Sequence, residues 1–282
     1  MPNIVDVAGR HVLLVCEQGH GDIIQFARYA PLLARLGARV TLQVYVKLKV
    51  LMQTLHGVDT VITPDETEPL VDIVTPLLSL PLAFGTDIVS IPADVPYLRA
   101  PPDRLAKWQS RLGPRTRPRV GIVWWGSQHI PKRSMPIERM QPVLRRGGIE
   151  FHALQKEIHE LDCAWLAAHP WVADHSAELT DFADTAALIS MMDLVITIDT
   201  SVAHLAGALA VPVWIMLPFS ADWRSLLGRA DSPWYPTARL FRQQCRGDWD
   251  GVVADVTWAL DEWSGGLQHQ FESDSVGDPG IT

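Results

Sequence analysis

Cysteine is scarce in this sequence. The 282 residues hold three, Cys16, Cys163 and Cys245, odd in number and without a CxxC spacing. A disulfide scaffold is thereby excluded, and a reducing compartment fits better. The first apolar run, at 11–16, is too short for a signal-peptide core and lacks a small-residue cleavage site after it, so the expected location is cytoplasmic. A basic surplus is also missing. Formal net charge is -8. Residues 1–117 carry 12 Lys+Arg against 11 Asp+Glu, and residues 118–282 carry 12 against 21. That excludes a broad basic face, and no nucleic-acid partner is expected. Charged residues are only 20% against 48% hydrophobic, so the bulk of the chain is not disordered.

Several chemical signatures are absent too. There is no G-x-S-x-G and no Walker sequence, which removes the usual hydrolase and P-loop readings. His159-Glu160 lacks a second histidine four residues on and is no zinc motif. Asp248-Trp-Asp250 matches a D-x-D pattern but opens the last helix, where capping accounts for it. No period of 20–50 residues recurs, so the chain is not a solenoid. Residues 200–221 contain no charge unless His204 is protonated, a length that suits a membrane span. Pro212 divides them into an Ala/Leu-rich helical piece and a strand-like PVWIML, so a buried helix and a buried strand are expected and no transmembrane segment.

What is present is an alternation of strand and helix. The apolar run at 11–17 reads as a strand covered on both faces. A helix follows over 22–36, with Ile23, Ala27, Ala30 and Leu33 at helical spacing and Gly37 as its stop. Strands are expected at 39–46 and 60–63, a helix at 47–55, strand and loop over the proline-rich 64–102, and a helix at 105–112. GPRTRP at 113–118 has no apolar residue and reads as a linker. The pattern then restarts, with strands at 120–124, 150–154, 194–198, 213–217 and 240–242. Helices fall at 138–145, 162–168, 185–192 and 202–209, and a short strand lies at Val172. A terminal helix at 248–263 places Val252, Val256, Ala259 and Trp263 on one face, and the Gly-, Ser- and acid-rich residues from 265 read as a disordered tail. The expected fold is α/β: two doubly wound parallel sheets, residues 1–115 and 116–264, with a tail at 265–282. In such sheets ligands bind at the carboxyl ends of the strands, here in the cleft between the two.

Three loops at those ends carry the candidate chemistry. EQGHGD at 17–22 turns the first strand into the first helix. Gly19 and Gly21 allow a ligand close to the backbone. The run is not a dinucleotide fingerprint, because Ile24 stands at the third glycine position. Asp22 reads either as a cap of its helix or as a general base at the cleft edge. DTSVAH at 199–204 follows the strand at 194–198. It reads either as a simple cap with His204 packed inside or as a diphosphate site in which Thr200, Ser201 and Val202 present free N–H groups. GSQHIPKRS at 126–134 brings Lys132 and Arg133 to a strand end, where a cation would neutralise a departing phosphate; the alternative is a solvated loop. Of eleven tryptophans, Trp124, Trp214 and Trp258 suit core positions, while Trp125, Trp223 and Trp234 fall near loop ends where a sugar or base would stack.

Together the strand–GxGD–helix and strand–DTxxxHLAGAL–helix units resemble the bacterial heptosyltransferase type of glycosyltransferase (glycosyltransferase family nine). They resemble still more the catalytic regions attached to tetratricopeptide repeats, distantly akin to O-GlcNAc transferases. Further matching stretches are FARY at 26–29, LSLPLAF at 78–84, LQKE at 154–157, DFADT at 181–185 and SPWYP at 232–236. The resemblance implies a GT-B-like fold and an inverting, metal-independent transfer of a sugar from a nucleotide diphosphate to an acceptor hydroxyl. By position it makes Asp22 the base. Asp199 becomes a donor contact, and Thr200, Ser201, Val202, Ala203 and His204 the pyrophosphate cradle. Arg133, or the adjacent Lys132, stands for the family's lysine, and Asp181 and Phe182 fall beside the nucleobase. No cofactor is implied beyond the nucleotide-sugar substrate, and the acceptor is a protein, glycan or lipid-linked glycan. Two positions depart from the pattern: Ser201 replaces a usual glycine and His20 a usual aliphatic residue. The chain also holds no repeats that would present a protein acceptor. A sugar-nucleotide epimerase and a non-catalytic nucleotide-sugar-binding remnant of a repeat-bearing enzyme are the alternatives.

Overall fold

The structure is a computed structural model and describes residues 4–126 and 131–275. The first lobe runs β1 (His11–Val15), α1 (His20–Phe26), α2 (Ala30–Arg35), β2 (Arg39–Gln43), α3 (Lys49–Met52), β3 (Thr60–Ile62), β4 (Ile73–Pro76), α4 (Leu80–Ala83) and α5 (Pro102–Leu112). Its four strands are parallel, in the order β3-β2-β1-β4. The apolar β1 lies inside the sheet, and the proline-ended β4 takes an edge, where a lost amide donor is harmless.

The second lobe runs β5 (Arg119–Val123), α6 (Gln141–Leu144), β6 (Glu150–Ala153), α7 (Glu160–Ala168), β7 (Val172–Asp174), α8 (Phe182–Ile189), β8 (Leu194–Ile198), α9 (Ser201–Ala208), β9 (Val213–Leu217), β10 (Ala238–Arg242) and α10 (Trp249–Ser275). Its six strands are parallel in the order β10-β9-β8-β5-β6-β7. Every residue of β5, β8 and β9 is buried, as helices on both faces of a parallel sheet require. The strand order reverses at β5 and β8, so the loops leaving those two strands flank the switch point.

Four features differ from the sequence expectation. The single helix expected over 22–36 is two, α1 and α2, joined by a 3₁₀ turn at Ala27–Tyr29. Pro31 in the first turn of α2 has no N–H and its ring excludes a continuous α-helical carbonyl four residues back, so the chain tightens there. α10 continues past Trp263 to Ser275, where a tail was expected from 265, and residues 276–282 of that tail lie outside the described residues; the glycine pair at 265–266 lowers helix propensity but contains no proline to stop the helix. Trp258, expected in the core, is 60% exposed. It lies two residues after Val256, off the face that carries Val252, Val256 and Ala259 inward. α5, written as the last helix of the first lobe, packs on α8 of the second.

That docking is electrostatic. Asp184 of α8 has a fully buried carboxylate that accepts from Lys107 Nζ at 2.8 Å, from Arg104 Nη1 at 3.4 Å, and from the Thr180 hydroxyl. Arg111 adds a bond to Glu178 at 3.0 Å. Burial alone would raise Asp184, but Lys107 and Thr180 outweigh it and hold the group below the usual carboxylate range. Apolar packing is continuous between the lobes: one cluster joins the α1 and α2 residues Ile23, Phe26 and Leu33 to Ala203 and Leu205 of α9. Among the described residues no helix is long and apolar enough to cross a membrane.

Candidate active site

α1 and α9 begin at the carboxyl ends of β1 and β8, one in each lobe, and pack directly against each other. Their contact is close because Gly21 has no side chain. A Cβ there would stand 2.9 Å from His204 Cδ2 and 3.3 Å from the Ser201 Cα. The turn that leads into α1 is also unusual: Gln18 takes a left-handed φ of 58°, disfavoured for a residue with a Cβ. Its carbonyl accepts from Tyr45 Oη at 3.0 Å.

Asp22 caps its helix, one of the two roles expected of it, and also reaches across to the second lobe. One oxygen, Oδ2, accepts the Gly19 N–H at 2.9 Å and so caps α1. The other, Oδ1, faces the second lobe and pairs with the guanidinium of Arg224. Arg224 sits in the loop after β9 and also pairs with Asp222 at 3.2 Å, whose carboxylate caps the short turn Trp223–Ser225. Phe26 and Trp223 flank the guanidinium, with ring centroids at 5.5 and 5.1 Å.

On the other side, Thr200 caps α9, its hydroxyl accepting the Val202 N–H at 3.3 Å. The Ala203 N–H goes to the Thr200 carbonyl at 3.0 Å. The expectation of a free Val202 amide is therefore corrected: the capping hydroxyl takes it up within the turn. Val202 and Ala203 are buried, and Ser201 lies under Gly21. His204 is held by Tyr235 Oη at 3.1 Å. Burial, reinforced by Arg224, Arg28 and Arg133, pushes its imidazole down to about 3, so it is neutral. Asp199 moves the other way. Burial lifts its carboxyl above the usual range, Arg133 and Arg224 pull against that, and Asp222 and Asp22 add to it.

The loop after β5 reaches the same place. Ser127, Gln128, His129 and Ile130 of the expected 126–134 loop lie outside the described residues. Of the two cations, Arg133 is the one at the turn: its Nε is 3.0 Å from where a Gly126 Cβ would stand, and the Thr200 methyl is 3.3 Å from that same point. Lys132 is exposed. Asp181 caps α8, accepting from the Ala183 and Asp184 amides at 2.9 Å. Phe182 packs against His20 with the rings tilted by 33°, at 5.1 Å between centroids, which brings that departure from the pattern to the lobe boundary. Burial lowers His20, with Glu157 opposing. Among the tryptophans, Trp223 is exposed and Trp125 half-buried beside His159. Trp234, expected near a loop end for stacking, is 4% exposed and packs edge-on against Phe26. Its carbonyl accepts from Arg28 across the lobe boundary at 2.7 Å, which is what draws the tryptophan inward.

Sequence reasoning missed Arg224, Asp222, Tyr235 and Arg28. The signal available for Arg224 was its place, a loop at the carboxyl end of a strand next to β8, the same rule that marked the other two loops. Nothing local distinguishes it from a solvated arginine.

No family model matches the chain. It is 28% identical over 289 residues to Protein FlbA of Caulobacter vibrioides, matching 92% of this chain and 48% of that protein, so it spans about half the length of that relative. Among solved structures it resembles a glycosyl transferase family 9 protein from Veillonella parvula, at a TM-score of 0.68 and 12% identity, over 94% of this chain and 99% of that one. It resembles the E. coli ADP-heptose lps heptosyltransferase II at a TM-score of 0.63 and 15% identity, covering 89% and 99%. The E. coli heptosyltransferase WaaC with ADP matches at 0.57 and 13%, also covering 89% and 99%. The fold is that of the heptosyltransferases. Two all-parallel α/β lobes, GT-B-like, are what the motifs implied.

Proposed function

We propose that this chain is a glycosyltransferase that moves a sugar from a nucleotide diphosphate to an acceptor hydroxyl by a single inverting displacement. The observation that carries this reading is the meeting of Asp22 with the Asp199–His204 turn across the lobe boundary, flanked by Arg133 and Arg224. The likeness in fold to a heptosyltransferase whose structure includes ADP, and to another named for ADP-heptose, supports it, and a nucleotide diphosphate is the donor class it suggests. The further likeness, to catalytic regions attached to tetratricopeptide repeats, rests on the sequence motifs and carries no acceptor with it.

In this reading the acceptor O–H gives its proton to Asp22 as its oxygen bonds to the anomeric carbon. The bond from that carbon to the diphosphate breaks, and the diphosphate leaves with the electron pair. Arg133 and the start of α9 take up the developing charge, a task that needs no metal. Asp199 and neutral His204 line the donor side, and neither adds a second fixed cation. The acceptor class is a protein, glycan or lipid-linked glycan.

Asp22→Asn keeps the shape and the Gly19 cap acceptor while removing the base. The expected outcome is retained nucleotide binding with transfer reduced at least a hundredfold. Thermal-shift screening with ADP-, UDP-, GDP- and CMP-sugars identifies the donor, since a ligand at 100 times its Kd stabilises by about 2.7 kcal/mol. Full transfer by the Asp22→Asn protein would remove Asp22 from the chemistry. A second reading has one observation in its favour: both Asp22 oxygens are already engaged. A non-catalytic nucleotide-sugar-binding module would keep that pairing, bind the donor and release no nucleotide from it.

A further inference from the structure

Arg224 is the cation that the motifs did not contain, and its surroundings give it more than a bridging task. It belongs to the second lobe, yet it pairs with Asp22 of the first, 202 residues away in sequence. Its charge also acts on Asp199 and on His204, so it lies within electrostatic reach of both ends of the Asp199–His204 turn. Arg133 acts on the same two residues from the opposite loop. The two arginines share a second property: the Nε of each is buried and has no hydrogen-bond partner among the described residues. A buried guanidinium N–H left unpaired is costly, and two of them beside one turn are unspent donors suited to an oxyanion with several acceptor oxygens. The Phe26 and Trp223 rings hold the Arg224 guanidinium without using its N–H groups, so it keeps support when a carboxylate leaves it.

We propose that Arg224 is shared between two anions, the Asp22 carboxylate and the donor diphosphate, and that diphosphate binding draws it off Asp22 and frees Oδ1 for the acceptor proton. This rests on the glycosyltransferase reading. It adds a positioning residue that couples donor binding in one lobe to the readiness of the base in the other. A diphosphate carries more charge and more acceptor oxygens than one carboxylate, and it offers the bidentate geometry that guanidinium prefers. Asp22 and the diphosphate then compete for Arg224, and donor binding has to work against the ion pair.

Competition has a signature that a plain interlobe tie lacks. Removing Asp22's charge should tighten the diphosphate, whereas breaking a tie should loosen everything. The experiment is a double-mutant cycle by isothermal titration, with inorganic pyrophosphate, ADP and UDP as probes. Asp22→Asn is expected to tighten pyrophosphate by about threefold to tenfold, and Arg224→Gln to weaken it by about tenfold. In the double variant the gain from Asp22→Asn should vanish. Arg224→Lys, which keeps the charge and loses the fork, is expected to fall between wild type and Arg224→Gln and serves if the glutamine variant does not fold. Asp22→Asn leaving affinity unchanged or weaker, or a gain that persists without Arg224, overturns the sharing. Wild-type protein that binds none of the three probes overturns the donor reading itself. Wild-type binding with a purely additive cycle overturns only the role of Arg224.

Discussion

Gly21 of α1 lies against His204 of α9 with no room for a methyl group between them. A Cβ at 21 would meet the imidazole at 2.9 Å and, at 3.3 Å, the Ser201 Cα, which is backbone and cannot rotate away. Gly21→Ala therefore has to part the two helices or push His204 off Tyr235. The expected cost is roughly 1–3 kcal/mol, as for other overpacked sites. Thermal denaturation measures it, and pyrophosphate titration shows the start of α9 displaced as weaker binding. An alanine variant with wild-type melting and wild-type affinity would mean that the lobes meet loosely.

Gly207 makes the matching test from the other side of His204. A Cβ at 207 would overlap the ring of Tyr235, which is buried and holds His204 through its hydroxyl. Burial raises that phenol well above its ordinary range, so Tyr235 remains a neutral donor at any working pH. Gly207→Ala is expected to cost about 2 kcal/mol or more, because an enclosed aromatic ring has to move. Tyr235→Phe removes only the hydroxyl and should cost less, about 1 kcal/mol. The ordering of the two melting temperatures checks the assignment: a phenylalanine variant less stable than the alanine variant contradicts it.

The uneven legibility of this chain has physical causes. β8 and β9 were read from the sequence at their observed bounds because strands buried on both faces appear as unbroken apolar runs, here closed off by Asp199 and by Pro212. Asp22 and the 199–204 turn were placed at strand ends by the topology of parallel sheets, which needs no knowledge of side-chain direction. What failed was whatever depends on a partner far along the chain. Arg224 and Trp234 are loop residues with no local mark of their roles, and only the first lobe decides that one binds a carboxylate and the other is buried. The break between α1 and α2 was recoverable, since Pro31 is in plain view, but Leu33 and Ala34 continue the apolar period beyond it and mask the stop.

Acid should loosen the second lobe through a histidine pair that no catalytic step uses. His152 on β6 and His175 face each other at 3.0 Å with stacked rings, and the Trp108 ring closes over His175. Burial, then the charges of His175 and Arg119, pushes His152 from 6.5 down to about 4. The folded chain thus refuses a proton that the unfolded chain accepts between those values. Stability contributed by the neutral form is complete above pH 6.5 and is lost as the pH falls toward 4, up to about 3 kcal/mol for this group. His204, held to about 3, acts in the same direction from the same 6.5 and continues to a lower pH. Urea denaturation at pH 7 and at 4.5 measures the slope, and His152→Asn should flatten it by up to one proton, about 1.4 kcal/mol per pH unit. Equal slopes for the two proteins would show that His152 titrates normally in the fold.

Lys132 and Arg133 are adjacent, equally charged and interchangeable on sequence grounds, but the fold separates them. Arg133 Nε lies against the Gly126–Thr200 contact, buried, while Lys132 is exposed. A cation in water at the rim is screened and contributes little, whereas a guanidinium whose buried Nε–H has no partner among the described residues has donor capacity for a phosphate oxygen. Arg133→Gln is expected to weaken pyrophosphate by about tenfold or more, and Lys132→Gln by no more than about twofold. Raising the salt from 50 to 200 mM should narrow what effect Lys132 has and leave most of the Arg133 effect in place. The pair of titrations reads directly on which loop residue would meet the leaving group in the proposed transfer, and a lysine variant as impaired as the arginine variant would return the task to Lys132 or divide it between them.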